Sequence, residues 1–529
     1  MTSSGLRPAI PAARALTDLA ARYPDLDVVG AGYEGVVVHG VTHDSRAVRP
    51  GDLYAALPGA HVHGAAFAGQ ALASGAAAVL TDRAGAERVI RETATGGTVT
   101  RETTVPAAVP LLVAVDPRAV LGAVASWVYG DPSASLRLLG VTGTNGKTTV
   151  AYLLEAGLRA AGHSTGLVGT VQTRIAGTAV PSVRTTPEAT DLQALLAVMV
   201  ERGVTAAAME VSSHAVALHR VGGIHFAGAA FTNLSQDHLD FHLSMDDYFE
   251  AKAALFTPRR TGVSVVDTDT GWGRRLAGRI PGAVTCGVNP DARWRAVDVA
   301  TDPTGTTFRA LGPQGTDVQV RIALPGTFNV SNALVALALL AETGVPAETA
   351  VRGFASLPGV PGRMERVDAG QPFLGLVDYA HTPDAVETLL RTVRPLVTGR
   401  VIVVLGCGGD RDRGKRPLMG AAAARGADLS IFTSDNPRSE DPDAIIAQMC
   451  AGAARVPAGL RGGVVVEPDR ATAIGLAVRQ AGPADAVVVA GKGHETGQVR
   501  DGTVTPFDDR DALRTELAGC RPASRPSQV

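Results

Sequence analysis

Short apolar runs rich in Val, Ala and Leu recur along the chain, each closed by polar or glycine residues. Stretches with helical periodicity separate them. The segment "LRLLGVTGTNGKTTVAYLLEAGLRAAG" reads as a buried strand, a glycine-rich turn and an amphipathic helix. "TAAAMEV" and "GAAFTNL" follow as further strands that end in polar residues, and "YFEAKAALF" (248–256) reads as helix. After "PGRMERV" the pattern repeats, with "FLGLVDYA", "RVIVVLG", "LSIFTSD", "GVVVEP" and "DAVVVAG" as strands and helical stretches between them. Continuous apolar strands alternating with helices predict parallel sheets covered on both faces. Such sheets bind ligands at the carboxyl ends of their strands, where this chain carries its polar motifs.

The first 130 or so residues differ, mixing short apolar runs with turn signals up to "YGDPSASLR". The expected fold is therefore α/β in three domains: a small N-terminal α/β domain (1–134), a central P-loop ATPase-like domain with a parallel sheet (135–365), and a C-terminal Rossmann-like doubly wound domain (366–529). A chain of 529 residues is too long for a single core. The first dozen residues are expected to be a disordered extension.

Composition narrows the function classes. A net charge of −2 with no basic run offers nucleic acid no surface. No stretch has the length or apolarity of a signal peptide or membrane span. Cys286, Cys407, Cys450 and Cys520 are far apart and lack metal-type spacing, as expected of reduced cytosolic thiols.

Lysine usage points to chemistry. Of 49 basic residues only four are lysine: Lys147, Lys252, Lys415 and Lys492. Arginine stays charged, whereas a buried lysine can lose its proton and react. Lys147 lies in "GVTGTNGKTT", between strand and helix. There Gly143, Thr144, Asn145, Gly146, Lys147, Thr148 and Thr149 form a phosphate loop whose backbone N–H groups would cradle ATP. Lys147 would bind the β/γ-phosphates and Thr148 would hold Mg²⁺. The strict pattern is broken at one point, since position 141 is Val and the glycine falls at Gly140. Glu210 at one strand end, and Asp237, His238, Asp240 and His242 after the next, supply carboxylates and imidazoles suited to a metal near phosphate.

Together, "GTNGKTT", "EVSSHA", "TNLSQDHLDFH", "YFEAKAALF", "LPGTFNVSNALVA", "PGRME" and "DYAHTPD" resemble the Mur ligase family over nearly the whole chain. "VTHDSRAVRPGDLYAALPG" resembles the UDP-binding first domain of those members that add the third stem-peptide residue. "DNPRSEDP" and "GKGHETGQ" resemble the version that adds meso-2,6-diaminopimelate. The resemblance implies an ATP-dependent ligase of cytoplasmic peptidoglycan precursor synthesis, acting as a monomer. It would join meso-2,6-diaminopimelate to UDP-N-acetylmuramoyl-L-alanyl-D-glutamate through an acyl phosphate.

It also implies residue roles. Lys147, Glu210, His238 and Lys252 would be catalytic. Thr148, Glu210, His238 and Lys252 would hold Mg²⁺, in two ions. Lys252 would carry a CO₂-derived carbamate (N6-carboxylysine), which arginine could not form. Asn332, Arg363 and Asp378 would complete the ATP site. His43, Ser45, Thr185, Thr186, Ser212 and Arg220 would contact the UDP-muramyl peptide. Arg411, Asp435, Asn436, Pro437, Arg438, Gly491 and Glu495 would take the diaminopimelate. His43 and Leu218 depart from the usual Leu and Gln, which leaves the nucleotide-sugar contacts open.

Three other readings compete: a ligase that adds L-lysine, a folylpolyglutamate-type synthetase, and a P-loop switch or kinase that forms no amide. "DNPR" opposes the first and the UDP-type N-terminal domain the second. The third leaves Lys252 and the C-terminal domain without a purpose.

Overall fold

The computed structural model describes residues 6–29, 33–94, 109–180 and 184–519. The chain divides into two compact units. One is Met1–Thr142, Gly162–Ala229 and Ala251–Ser264; the other is Gly143–Ala161, Ala230–Glu250 and Val265–Val529.

In the first unit a five-stranded sheet runs in the order Asp27–Val29, Leu111–Val113, Ala78–Thr81, Asp52–Ala55, Gly40–Thr42. Its first pair is antiparallel and the rest are parallel. Strand periodicity sends Leu53, Leu80 and Leu112 into one core and Tyr54, Val79 and Leu111 into another. A second group of parallel strands places Ala206–Glu210 between Thr165–Val168 and Arg137–Thr142. Glu210 therefore ends a central strand.

Within residues 6–12 the chain is tied to the rest of the first unit at two points. Arg7 donates to both carboxylate oxygens of Asp52 at 2.7 Å, and the Ala9 N–H reaches Glu201 Oε1 at 2.9 Å. Residues 1–5 lie outside the described residues.

The second unit carries an antiparallel meander, Trp294–Asp302, Gly305–Leu311 and Asp317–Ile322, which the sequence patterns above did not isolate. It also carries a six-stranded sheet in the order Glu365–Arg366, Leu374–Asp378, Ala486–Ala490, Val401–Leu405, Leu429–Phe432, Gly463–Val466, parallel except at its first pair. Val401, Val403 and Leu405 pack with Leu389, Met419 and Ile445 on one face. Ile402 and Val404 pack with Ile474 and Leu513 on the other. Both faces are covered, so the central strands are apolar throughout. "GVVV" has the same composition but forms the edge strand, where Val464, Val465 and Val466 are 37–49% exposed.

Helix starts fix where the polar motifs sit. Thr382 caps Pro383–Val393 by accepting from the Ala385 N–H, with Pro383 at the first helical position. That leaves Asp378 to His381 as a short loop at the strand's carboxyl end. Asp435 and Gly491 likewise follow strand ends. In "YFEAKAALF" the helix is Met245–Ala253, so Lys252 lies in its last turn and Leu255 and Phe256 lie beyond it. Among the described residues no helix is long and apolar enough to cross a membrane.

Candidate active site

The phosphate loop is held open by its neighbours. The Asn145 N–H donates to Asn233 Oδ1 at 2.9 Å, and the Asn145 carbonyl accepts from the Thr232 hydroxyl at 2.6 Å. Gly146 has φ +89°, and a Cβ there would collide with Asn332 Oδ1, so backbone and amide approach as only glycine permits. Thr144 Oγ1 lies 3.2 Å from the Tyr248 hydroxyl, tying the loop to the helix that carries Lys252. The helix Lys147–Ala160 begins within the loop, so the loop sits at a helix N-terminus, the end that favours an anion. Lys147 Nζ donates to the carbonyls of Gly143 (3.0 Å) and Thr144 (2.8 Å), so its ammonium sits over the loop. Thr148 and Thr149 are buried behind it.

The three further nucleotide candidates join this loop. Arg363 Nη2 donates to Thr148 Oγ1 at 3.0 Å and its guanidinium stacks 4.2 Å from the Tyr379 ring centroid. Asp378 accepts from the N–H groups of Met364 (2.7 Å) and Ala380 (2.8 Å). Burial raises the Asp378 pKa, with Arg363 acting against it. Asn332 Nδ2 donates to Asn329 Oδ1 at 3.0 Å, which turns its Oδ1 towards Gly146.

A cleft in the same unit gathers Asp237, His238, Arg411, Asp435, Asn436, Arg438, Gly491 and Glu495 with Tyr379, His381 and Lys415. Pro437 is buried and does not line it. Arg438 Nη1 donates to the Gly409 carbonyl at 2.6 Å, and burial followed by the nearby Arg411 lowers its pKa. Two guanidiniums that line one cleft and repel each other suit a carboxylate between them. Opposite in charge is Glu495, whose Oε2 accepts from Asn436 Nδ2 at 2.8 Å and from Lys492 Nζ at 2.9 Å. Gly491, at φ +112°, would bring a Cβ to 2.8 Å from Asp435 Oδ2.

Asp237 is nearly buried, which opposes ionisation. His381 at 3.8 Å, His238 at 3.4 Å and Lys415 at 3.7 Å outweigh that and hold its carboxyl well below the usual carboxylate range. His381 Nδ1 can only donate to the Tyr379 carbonyl at 2.8 Å, and burial, then Lys415, brings this histidine down to about 4. It is neutral at pH 7, with Nε2 unprotonated. Sequence reasoning did not single out His381 as a site residue, although "DYAHTPD" contains it; Lys415, given no role there, is 7% exposed. Among the described residues no three His, Cys, Asp or Glu side chains form a metal-binding group.

The other predicted residues belong to the first unit. Glu210, 1% exposed, accepts from the Thr170 N–H at 2.8 Å, and the Thr170 hydroxyl lies 3.0 Å from both Glu210 Oε2 and Thr185 Oγ1. Thr186 donates to the Glu210 carbonyl at 2.9 Å and accepts from the Ser212 N–H at 3.2 Å. Arg220 pairs with Glu188 at 2.8 Å and reaches the Thr186 carbonyl at 3.4 Å. Glu210, Thr185, Thr186, Ser212 and Arg220 thus form one bonded group. His43 and Ser45 line a separate cleft with Arg46, Gln70 and Arg118. Ser45 Oγ donates to Gln70 Oε1 at 3.1 Å, and His43 Nδ1 lies 3.0 Å from Thr190 Oγ1. Burial lowers the His43 pKa, so this departure from Leu is a neutral polar side chain. Lys252 is 1% exposed.

Residues 37–129 match the Mur ligase family catalytic domain, 141–340 the Mur ligase middle domain and 362–493 the Mur ligase glutamate ligase domain. The chain is 56% identical over 484 residues to the UDP-N-acetylmuramoyl-L-alanyl-D-glutamate–2,6-diaminopimelate ligase of Streptomyces coelicolor, covering 91% of this chain and 92% of that one. It is 49% identical over 482 residues to the ligase of the same name from Corynebacterium glutamicum, covering 90% of each. A solved structure of a protein of that name superposes with a TM-score of 0.64 at 33% identity, covering 93% of this chain and 97% of the other. With three family domains in order along an α/β chain and relatives this similar over nearly its full length, this protein belongs to the Mur ligase family of ATP-dependent ligases.

Proposed function

We propose that this ligase joins an amine of meso-2,6-diaminopimelate to the D-glutamate side-chain carboxyl of UDP-N-acetylmuramoyl-L-alanyl-D-glutamate, as a cytoplasmic monomer making peptidoglycan precursor. The observation that carries the reading is the cleft that Arg411 and Arg438 line together with Glu495. A diamino diacid needs both signs of charge at its far end. The names of the similar ligases support the same pair of substrates.

The reaction follows from the residues in order. ATP on the loop Gly143–Thr149 presents its γ-phosphorus to the carboxylate; a carboxylate oxygen bonds phosphorus and ADP leaves. The free amine attacks the acyl carbon, inorganic phosphate departs, and the nitrogen loses its proton. Lys147, the helix N-terminus and Arg363 would stabilise charge on the transferring group, and Asn332 and Asp378 would hold the nucleotide. His43 and Ser45 would contact the UDP portion, and Thr185, Thr186, Ser212 and Arg220 the muramyl peptide. Asp435, Asn436, Pro437, Arg438, Arg411, Gly491 and Glu495 would form the diaminopimelate site.

The hydroxyl of Thr148 at a helix start, with carboxylate and imidazole donors, fits Mg²⁺, which takes few protein ligands beside phosphate oxygens. We propose Thr148 and His238 in the second unit, and Glu210 and Lys252 as its carbamate in the first, as ligands for two such ions. Bound Mg²⁺ would neutralise phosphate charge.

Phosphate release tests the reading. ATP should be cleaved at an appreciable rate only when both the UDP-muramyl dipeptide and meso-diaminopimelate are present; release with ATP alone at the full rate would point to a hydrolase or kinase. Lys147→Ala should slow this coupled release by at least about 10²–10³-fold, the cost of losing one charge-stabilising donor. A folded variant with near-normal turnover would remove the loop from the mechanism.

A further inference from the structure

Arg470 and Asp509 are fully buried, 39 residues apart in sequence, and neither belongs to any motif singled out above. Arg470 opens the helix Arg470–Gln480, which Asp469 caps through the Thr472 N–H at 2.8 Å; Asp509 opens the helix Asp509–Gly519. Their contact is a two-point fork, Nε to Oδ1 at 2.7 Å and Nη2 to Oδ2 at 2.7 Å. Two further donors of the guanidinium reach backbone carbonyls, Ser434 through Nη1 at 3.2 Å and Ala490 through Nη2 at 2.9 Å.

Those carbonyls immediately precede Asp435 and Gly491. Ser434 leads into the turn that carries Asp435 to Arg438, and Ala490 into the turn that carries Gly491 to Glu495. The strands that end there, Leu429–Phe432 and Ala486–Ala490, are not neighbours, because Val401–Leu405 lies between them. Their ends are thus two strand spacings apart, roughly 10 Å, and no ladder hydrogen bond joins them directly. Arg470 makes that connection in one planar side chain. Asp435 and Glu495 also lie within its electrostatic reach.

A further link crosses the same gap. Lys492 Nζ donates to Asn436 Oδ1 at 3.1 Å as well as to Glu495, and the Val499 N–H donates to the same oxygen at 2.9 Å. Three contacts therefore fix the Asn436 amide, and Lys492 takes a structural place that solvent-exposed lysine could not.

We propose that Arg470, held by Asp509, is a positioning residue that sets the separation of the Asp435–Arg438 and Gly491–Glu495 turns, and so determines which amino acid the cleft accepts. The inference rests on the proposed diaminopimelate site. A ligand gripped by a carboxylate on one turn and an ammonium on the other senses that separation directly, and about an ångström of displacement is enough to lose most of the benefit.

The test uses the full-length enzyme with Arg470→Lys, which keeps a buried cation for Asp509 but loses the fork. A double variant, Arg470→Met with Asp509→Leu, removes both charges together so that neither is left buried and unpaired. Thermal unfolding, KM for each of the three substrates, and the kcat/KM ratio of meso-diaminopimelate to L-lysine are measured. The expected result is at least a tenfold rise in KM for meso-diaminopimelate and at least a tenfold fall in the preference ratio. KM for ATP and for the UDP-muramyl dipeptide should stay within about twofold. An unchanged ratio in a folded variant overturns the proposal, as does a uniform change in all three KM values. If neither variant folds, the pair serves stability and the positioning role is likewise overturned. A wild-type enzyme with no preference for meso-diaminopimelate would instead strike at the assigned function itself.

Discussion

Replacing Arg438 with alanine should erase most of the enzyme's discrimination between meso-diaminopimelate and L-lysine. The two amino acids differ by one carboxylate on the far carbon. In the cleft Arg438 is half-buried and fixed by its bond to the Gly409 carbonyl, with Arg411 beside it. With meso-diaminopimelate bound, the far carboxylate would meet a planar donor fork. With L-lysine bound, the guanidinium would be desolvated without a partner. Sites built around a polar partner reject an analogue lacking it by about 10⁴–10⁵. Arg438→Ala removes both the reward and the penalty, so the loss falls mainly on kcat/KM for meso-diaminopimelate while L-lysine stays poor or improves slightly. Initial rates with both amino acids, wild type against variant, measure it. A variant that keeps the wild-type ratio would show that the far carboxylate is read elsewhere.

Lys252→Arg should inactivate the enzyme by about 10³-fold or more, although it keeps the positive charge. The position is 1% exposed, in a chain that uses lysine only four times. A free amine there can take up CO₂, forming the N–C bond of a carbamate and releasing one proton; a guanidinium cannot. The product is a carboxylate on an arm longer than glutamate's, suited to holding Mg²⁺, and a metal contact contributes several kcal/mol to such a reaction. Lys252→Ala should regain some activity with a small added carboxylate, whereas Lys252→Arg should not, because its side chain still fills the space. Full activity of Lys252→Arg, or unmodified lysine density in a well-resolved substrate-bound crystal structure, would end the carbamate proposal.

Much of this was legible in the sequence because it is local. The phosphate loop announces itself by glycine spacing between a strand and a helix, and "DNPR" and "GKGHE" sit at strand ends that apolar runs mark out. Scarcity draws attention to the lysines, and three of the four, Lys252, Lys415 and Lys492, are 1%, 7% and 0% exposed. What sequence could not supply is convergence. His381 and Lys415 meet at Asp237 although 144 and 178 residues separate them from it, and only the tertiary fold brings them together. Arg470 and Asp509 look like ordinary charged residues at helix starts, and no periodicity marks either as buried. The edge strand Gly463–Val466 shows the reverse failure, since an apolar run cannot say whether a further strand covers it. In the meander 294–322 only the first strand has its alternation interrupted, by a register shift between Val297 and Ala300; Asp317–Ile322 alternates strictly and was legible by its period.

The most direct test of the account is a competition. Wild-type enzyme with ATP, Mg²⁺ and UDP-N-acetylmuramoyl-L-alanyl-D-glutamate is given equimolar meso-diaminopimelate and L-lysine, and the UDP-linked product is weighed by mass spectrometry. Competing substrates partition by kcat/KM alone, so the product ratio reports selectivity without separate constants. The account predicts the diaminopimelate product almost exclusively, with ADP and phosphate formed in equal amounts to it. Comparable lysine product, or ATP cleavage without any amide product, would contradict it.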